Sequence, residues 1–252
     1  MIGIYFSGTG NTKHCVTKFI ECFGENIAIP IETPNIDELI IKHDTIVFGY
    51  PVYFSNIPKI VRDFIINNSA CFYNKKIFVI ATMGLWSGDG TGCSARVFEK
   101  YGGTVIGGLH LKMPDCIGDE KVLKKTTVEK KALISQTDSK ICSSAEKLKA
   151  TKPTQDGLSF PCQMAGLFGQ RLWFYKKTTS YKKKTNINME KCIGYGQCVP
   201  LCPMENIELI DNKAVSMGKC TLCYRCFSHC PTKALTILGK TVYEQYLFEN
   251  FK

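Results

Sequence analysis

The feature that most constrains this 252-residue chain is a run of four cysteines close to its carboxyl end. The run reads Cys220-Thr-Leu-Cys223-Tyr-Arg-Cys226-Phe-Ser-His-Cys230-Pro231. Its C-x₂-C-x₂-C-x₃-C-P spacing is typical of thiolates that hold iron–sulfur clusters. Zinc is the competing metal, because paired Cys-x₂-Cys units also bind it. The unbroken run with a terminal Cys-Pro favours iron–sulfur ligation.

An incomplete copy of the run precedes it. Cys192-Ile-Gly-Tyr195-Gly-Gln-Cys198-Val-Pro-Leu-Cys202-Pro203 has the same frame, with Tyr195 where a second cysteine belongs. In two-cluster arrangements the fourth cysteine of each run ligates the other cluster. One predicted cluster therefore uses Cys202, Cys220, Cys223 and Cys226, and the other keeps Cys192, Cys198 and Cys230.

Tyr195 weakens the second of these sites. A phenol with a pKa of about 10 is a poor substitute for a thiolate on a soft iron ion. We therefore expect a [3Fe-4S] cluster, or a [4Fe-4S] cluster with one labile iron. An oxygen ligand from Tyr195 itself and an empty site are the open alternatives.

The first 150 residues alternate short apolar runs with helix-like segments, which is typical of βα units around a parallel sheet. The runs are short, rich in β-branched residues and flanked by Gly, Pro or Asn, so strands are favoured over buried pieces of helix. Five strands are predicted, at 2–6, 27–29, 45–49, 77–81 and 104–106. Helices are predicted at about 11–23, 58–67, 91–101 and 120–149.

The loop after the first predicted strand carries a phosphate-binding pattern. It reads Ser7-Gly8-Thr9-Gly10-Asn11-Thr12 and leads directly into a helix. Backbone N–H groups, hydroxyls and the positive helix end can hold a phosphate there without a lysine. The loop has neither the ATP-type pattern nor the dinucleotide spacing. It resembles the FMN phosphate loop of flavodoxins, and FMN is the predicted flavin.

Two further loops follow the third and fourth predicted strands, where a flavin would lie at the carboxyl edge of such a sheet. An isoalloxazine needs flat apolar faces, for which Tyr53 and Trp86 are candidates, and backbone donors at its polar edge. Packing of these rings within ordinary loops is the alternative. The candidate residues are Pro51, Val52, Tyr53 and Phe54 in one loop, and Thr82, Met83, Gly84, Trp86, Gly88, Asp89 and Gly90 in the other.

Residues 151–185 carry seven basic residues and one acidic residue, and so hold most of the net charge of +10. Met164, Leu167, Phe168, Leu172 and Tyr175 recur at helical spacing, which predicts a short amphipathic helix. We expect this helix to pack on one of two domains; the alternative is contact with a membrane surface. The lysines at 176–184 indicate a solvated linker rather than a nucleic-acid site.

The other seven cysteines are scattered over the first 162 residues, and we expect them to be buried free thiols. Cys93 could instead be a thiol beside the flavin. No apolar run is long enough to cross a membrane, and no basic leader precedes the first strand. A soluble protein in a reducing, cytoplasmic setting is therefore expected.

The loops above, together with segments 107–118 and 165–175, resemble a family of flavodoxin–ferredoxin fusions of anaerobic prokaryotes over nearly the whole chain. The resemblance implies a doubly wound α/β sheet of five parallel strands, a smaller α+β two-cluster ferredoxin domain, FMN and two [4Fe-4S] clusters. The expected domains are 1–150 (flavodoxin-like), 151–185 (basic connection), 186–240 (ferredoxin) and 241–252 (tail).

The resemblance also implies a role in electron transfer. An electron carrier is expected, and a flavin-dependent reductase of a small molecule, supplied with electrons through the clusters, is the alternative. The sequence shows no second nucleotide-binding region, which favours a relay over an NAD(P)H reductase. The basic connection predicts an acidic redox protein as partner, through electrostatic steering. The tail has alternating aromatic and charged residues, to which the sequence assigns no structure.

Overall fold

The computed structural model describes residues 1–121, 124–174 and 182–251. Its main sheet has five parallel strands in the order β2-β1-β3-β4-β5. The five predicted strands are confirmed, and the last three extend further than predicted because their apolar alternation continues into the loops. The strands are β1 (Ile2–Tyr5), β2 (Ala28–Pro30), β3 (Thr45–Pro51), β4 (Lys76–Met83) and β5 (Thr104–Lys112).

Five helices flank this sheet: α1 (Asn11–Phe23), α2 (Ile36–Ile41), α3 (Lys59–Asn67), α4 (Gly90–Lys100) and α5 (Thr127–Lys149). The sequence prediction missed α2, which has six residues and offers too little periodicity to recognise. It also began α5 seven residues early. Thr126 and Glu129 form a capping box, with the Thr126 N–H donating to the Glu129 carboxylate at 2.7 Å, and this fixes the start of α5.

The sheet is buried on both faces. On one face Phe48 packs against Phe72 and Phe98 in edge-on contacts. On the other face α1 and α5 lie side by side, and Phe19 of α1 stacks on Phe78 at a centroid distance of 4.8 Å. Both faces of a parallel sheet need such cover because helical crossovers run over each of them.

One disulfide joins α1 to α5, between Cys22 and Cys142. The expectation that all seven scattered cysteines are free thiols is therefore wrong for this pair. The two residues are 120 positions apart, so their proximity follows from helix packing and cannot be read from spacing. The remaining five are free, but only Cys15 and Cys93 are buried as expected, whereas Cys71, Cys116 and Cys162 are half-buried.

The connection contains helix α6 (Phe160–Gly166), which continues as a π-helical segment over Leu167–Arg171. It packs on the sheet domain, where the Arg171 guanidinium pairs with Asp89 at 2.6 Å. The helix therefore contacts the sheet domain, but the predicted apolar positions Phe168 and Leu172 are exposed, at 56% and 58%, and do not form the packed face. Tyr175 and the lysines at 176 and 177 lie outside the described residues.

The cysteine-rich region forms two short antiparallel ladders. Strand β6 (Asn186–Ile187) pairs with β9 (Leu235–Thr236), and β7 (Ile207–Ile210) pairs with β8 (Lys213–Ser216). Each half of the sequence repeat contains one short helix, α7 (Cys198–Leu201) in the first and α8 (Arg225–His229) in the second. The region is therefore a small α+β unit.

The tail returns to the sheet domain. Tyr246 and Phe248 are buried in the core on the α1 side, and a 3₁₀ turn closes the chain at Phe248–Phe251. In the described parts of the chain, no helix has the length and apolarity needed to cross a membrane.

Candidate flavin and iron–sulfur sites

A cleft opens at the carboxyl ends of the parallel strands, at the switch point between β1 and β3. Loops after β1, β3, β4 and β5 form its floor and sides, and the cysteine-rich unit closes it through Leu222, Cys223, Tyr224 and Leu238. Its empty space, open mouth included, is about 1050 Å³. Its position is where open α/β sheets of this kind bind their ligands.

The loop after β1 fits a phosphate. Gly10 adopts φ +100° just before α1, and its N–H donates to the Ser7 hydroxyl at 3.2 Å. Among the described residues no side chain caps the amino end of α1, and no acidic residue lies in its first turn. The Thr12 and Thr82 hydroxyls share a hydrogen bond of 2.8 Å at the cleft wall. Exposed helix N–H groups and hydroxyls are a donor set suited to a dianion.

Aromatic side chains stand beside this loop. Tyr53 lies near Cys223 of the cysteine-rich unit. Burial, and next the Cys223 thiol, raise the pKa of Tyr53 well above its ordinary value, so its phenol is neutral. Trp86 lines the same cleft and is 47% exposed. The two rings are available as the apolar faces that an isoalloxazine requires.

Most of the predicted flavin residues line the cleft: Ser7, Gly8, Thr9, Asn11, Thr12, Pro51, Val52, Tyr53, Phe54, Thr82, Met83, Gly84 and Trp86. Gly10, Gly88, Asp89 and Gly90 do not. The Asp89 carboxylate is fully buried and pairs with Arg96 at 2.7 Å and Arg171 at 2.6 Å. Asp89 therefore anchors the connecting helix to α4.

The sequence did not predict the fourth loop of the cleft, which follows β5. It consists of Met113, Pro114, Asp115, Cys116 and Ile117. Its position was readable, because β5 ends at the same sheet edge as β3 and β4. Burial raises the pKa of the Cys116 thiol to about 12 and also raises the pKa of the Asp115 carboxyl. The missed contributions from Leu85, Gln170, Leu222, Tyr224 and Leu238 depend on tertiary packing alone.

Cys93 is a buried structural thiol, as expected. It is 6% exposed and does not line the cleft. The Arg171 guanidinium donates to its sulfur at 3.0 Å. Burial is the largest influence on this thiol and raises its pKa.

Two groups of cysteines lie in the small unit. Burial raises the pKa of Cys226, and the thiols of Cys223, Cys220, Cys202 and Cys198 add to the effect in that order, so Cys226 lies near both predicted ligand groups. Backbone N–H groups donate to two of their sulfurs, from Asn206 to Cys202 and from Leu222 to Cys220, both at 3.3 Å. Such bonds stabilise thiolates and tune cluster potentials.

The second group has three cysteines. Burial raises the pKa of Cys198, with the Cys230 and Cys192 thiols next in influence. These cysteines line one cavity together with Cys226 and with Tyr195, which is 64% exposed. The N–H of Ala214 donates to the Cys192 sulfur at 3.4 Å, and the N–H of Ala234 donates to the Cys230 sulfur at 3.3 Å.

Within the described ranges, no three His, Cys, Asp or Glu side chains converge closely enough to hold one metal ion. The C-x₂-C-x₂-C-x₃-C-P spacing and the N–H donors at the sulfurs fit iron–sulfur ligation.

The comparisons with known proteins agree with these sites. Residues 2–101 match the model of a flavodoxin domain, and residues 214–236 match that of a 4Fe-4S binding domain. A ferredoxin of Methanothermococcus thermolithotrophicus is 40% identical over 55 residues, which are 20% of this chain and 92% of that protein. Ferredoxin-3 of Desulfocurvibacter africanus is 52% identical over 33 residues, 13% of this chain and 54% of that protein.

The chain belongs to the flavodoxin–ferredoxin fusions. Its sheet is similar to that of two-electron reduced Megasphaera elsdenii flavodoxin, at 27% identity over 46% of the fusion and 89% of that chain, with a TM-score of 0.40. A flavodoxin from the domain Archaea is 16% identical over 59% of the fusion and 97% of that chain, with a TM-score of 0.42. The fusion is an electron-transfer iron–sulfur flavoprotein, with FMN implied by its flavodoxin domain and a [4Fe-4S] cluster by its ferredoxin motif.

The two parts of the fusion contact each other at the cleft. A Cβ on Gly8 would lie 1.9 Å from the Cys223 carbonyl oxygen, so the phosphate loop touches the cysteine run itself. Asp119, which is 1% exposed, accepts hydrogen bonds from the N–H groups of Leu238 at 2.9 Å and Gly239 at 3.1 Å, and from the Tyr224 hydroxyl at 2.7 Å. Only glycine fits at Gly239, where a Cβ would meet the Asp119 carbonyl oxygen at 1.8 Å.

Proposed function

We propose that this fusion relays electrons between FMN in the cleft and two iron–sulfur clusters, one proximal and one distal to the flavin. The observation that carries the proposal is that Cys223 belongs to the four-cysteine group and also lines the flavin cleft. The proximal cluster would be held by Cys202, Cys220, Cys223 and Cys226. The distal cluster would be held by Cys192, Cys198 and Cys230.

The cofactors would supply the redox chemistry, because clusters exchange single electrons and a flavin accepts one or two. The chain contributes position and exclusion of water. Tyr53 and Leu222 stand where the cleft meets the proximal cysteines. Backbone N–H donors at the sulfurs would stabilise the thiolate charge.

The surroundings of the distal site support an order for the relay. Tyr195 and Ile193, which line the cavity of that site, are 64% and 61% exposed and bring it to the protein surface. A partner would therefore exchange electrons at the distal cluster, and the proximal cluster would connect it to the flavin.

Anaerobic rapid mixing with a reduced low-potential ferredoxin tests this order. Cluster absorbance should fall before flavin absorbance. Cys198→Ser, which removes a distal ligand, should slow flavin reduction without lowering FMN content, and Cys162→Ser is the matched control outside both groups. Flavin reduction that comes first, or that Cys198→Ser leaves unchanged, contradicts the relay.

An acidic redox protein is the partner that the charge of the fusion supports. Steering by Lys182, Lys183 and Lys184 should fade as salt shortens the screening length from about 10 Å at 0.1 M. Rates of electron transfer with an acidic ferredoxin should fall with salt and on neutralising these lysines. Rates indifferent to both changes would remove the acidic partner from the proposal.

A specific cavity supports a second candidate function, the flavin-dependent reduction of a small anion. Beside the flavin cleft, across Tyr53 and Leu222, lies a cavity of about 1000 Å³ lined by Lys59, Arg62, Lys182 and Lys219. Among the described residues no carboxylate pairs with Arg62, Lys182 or Lys219, whereas Lys59 pairs with Asp63. Three cations without carboxylate partners favour an anionic ligand.

The second function predicts charge selectivity. Reduced fusion should be oxidised faster by 4-nitrobenzoate than by the uncharged 4-nitrobenzyl alcohol, and Arg62→Gln with Lys219→Gln should remove the difference. Lys183→Gln is the control, because Lys183 does not line the cavity. Equal rates with the two acceptors in the unaltered protein would exclude this function for the cavity.

A further inference from the structure

The connecting helix turns small and polar residues toward the protein and several large apolar residues toward solvent, the reverse of an ordinary surface helix. Small and polar residues face the sheet domain: Gly166 is buried, and a Cβ there would lie 2.1 Å from an Asp89 carboxylate oxygen. The Ser55 hydroxyl donates to the Gln170 side-chain oxygen at 2.6 Å. Arg171 pairs with Asp89 beneath the helix.

Met164 and Leu167 of the same segment are half-buried, whereas four large apolar residues are exposed. Their exposed fractions are 71% for Phe160, 56% for Phe168, 58% for Leu172 and 75% for Trp173. The flavin loop extends this surface, because a Cβ on Gly169 would lie 3.0 Å from the Trp86 ring, and Leu85 next to it is 57% exposed. We call these six side chains the apolar patch: Leu85, Trp86, Phe160, Phe168, Leu172 and Trp173.

The patch has the composition of a binding surface that becomes buried on contact with a partner. Soluble proteins rarely expose contiguous groups of large apolar side chains without a binding role. The indole N–H of Trp173 donates to the Phe168 carbonyl oxygen at 3.1 Å, so its polar atom is satisfied within the segment. Burial of the Trp173 ring in an apolar medium would therefore leave no hydrogen-bond donor unsatisfied.

The charge next to the patch is uniformly positive. From residue 157 to residue 189 the sequence has six basic residues and no acidic one. Phe54 stacks on Phe174, and Tyr53 and Asn56 in the same loop line a cavity with Lys182. Lys182 and the helix that bears the patch thus flank one loop.

We propose that the apolar patch docks on a lipid surface that carries anionic headgroups. Exposed Trp, Phe and Leu on a helix beside a polybasic segment are the features by which interfacial helices bind such surfaces. An acidic protein would satisfy the lysines, but a lipid interface also accepts projecting aromatic side chains without a matching pocket. Leu85, Trp86 and Gln170 line the flavin cleft as well, so docking would turn the mouth of the cleft toward the lipid.

Co-sedimentation of the full FMN- and cluster-loaded chain with vesicles tests the proposal. The probes are vesicles of phosphatidylcholine and phosphatidylglycerol in equal parts, and vesicles of phosphatidylcholine alone. We expect binding to the anionic vesicles that weakens with salt. The double variant Leu172→Ser, Trp173→Ser should lower the affinity for anionic vesicles about tenfold, because it removes two apolar side chains that would enter the lipid.

The matched control is Ile41→Ser with Val128→Ser, which removes two equally exposed apolar side chains away from the patch. FMN content and reduction by ferredoxin in solution should stay unchanged in both variants, so failure here is separate from failure of the relay. Three results would overturn the proposal: no vesicle binding, equal loss in the control, or sedimentation velocity showing self-association that the patch variant abolishes.

Discussion

At the scale of single residues, hydroxyl groups replace the cation that many phosphate sites use. Ser7, Thr9 and Thr12 line the cleft beside the amino end of α1, and Thr9 and Thr12 are 5% and 1% exposed. Hydroxyls in so dry a position are worth more to a bound anion than the same groups in water. They add directional contacts to the helix N–H groups.

Thr9→Val should weaken FMN binding about tenfold or more, since a hydrogen bond to a charged group contributes about 1.5–3 kcal/mol. Titration of the flavin-free protein with FMN, followed by flavin fluorescence, measures the effect. Thr17→Val, on the same helix but outside the cleft, should bind like the unaltered protein. An unchanged dissociation constant for Thr9→Val would show that its hydroxyl does not reach the phosphate.

Tyr195→Cys should complete the distal ligand set. Oxidised, unaltered protein should give the EPR signal of a [3Fe-4S] cluster, or lose iron on mild oxidation. The variant should lose that signal and bind more iron, because a thiolate replaces a poor phenol ligand. Two clusters of full iron content in the unaltered protein, both stable to mild oxidation, would contradict a weakened site.

At the scale of elements, the tail is the least expected part of the fold. Its Phe248 N–H donates to the Thr9 carbonyl oxygen at 2.9 Å, and the Tyr246 hydroxyl donates to the Asn11 side-chain oxygen at 2.7 Å. The Phe248 ring stacks on His14 at 4.2 Å. The last residues of the chain therefore support the phosphate loop from outside.

Phe248→Ala should destabilise the sheet domain by about 3–5 kcal/mol, the usual cost of removing a buried phenylalanine. It should also weaken FMN binding, because loss of the ring stacked on His14 loosens the tail whose backbone N–H holds Thr9. Urea unfolding of the flavin-free chain and FMN titration measure the two effects. Tyr243→Ala, which removes a 48% exposed ring from the same tail, is the control. Equally small changes in unfolding free energy and FMN affinity in both variants would show that the tail does not support the phosphate loop.

The sequence predicted those elements whose pattern is local. β-Branched runs gave the five strands, and the glycine-rich loop gave the phosphate site. The start of α5 was misplaced because Thr126 and Glu129 cap it, and the tail was unassigned because its aromatic spacing follows neither helix nor strand. The role of Asp119 was unreadable, since it accepts from the Leu238 N–H, 119 positions away.

At the scale of the whole molecule, the account depends on close docking of the two parts. Gly8 against Cys223 and Gly239 against Asp119 leave no room for a Cβ. Gly118 is equally confined, since a Cβ there would meet the Glu244 carbonyl oxygen at 1.9 Å. The domain boundaries at 150, 185 and 240 stay a prediction.

Asp119→Asn should loosen this docking, because an amide oxygen accepts hydrogen bonds from the N–H and hydroxyl donors less strongly than a carboxylate. The expected loss of docking free energy is about 1–3 kcal/mol. Electron transfer from clusters to flavin should slow about tenfold while the contents of iron, sulfide and FMN hold. Asp211→Asn, at the exposed β7–β8 turn, is the control. An unchanged rate for Asp119→Asn would show that the carboxylate does not set the spacing.

The most direct test of the relay is flash photoreduction of the fully loaded chain without oxygen, observed at the cluster and flavin absorption bands. The account predicts a first-order phase in which the two signals change in opposite directions, at a rate independent of protein concentration. A rate proportional to protein concentration, or no such phase at full occupancy of both cofactors, would contradict electron transfer within one molecule.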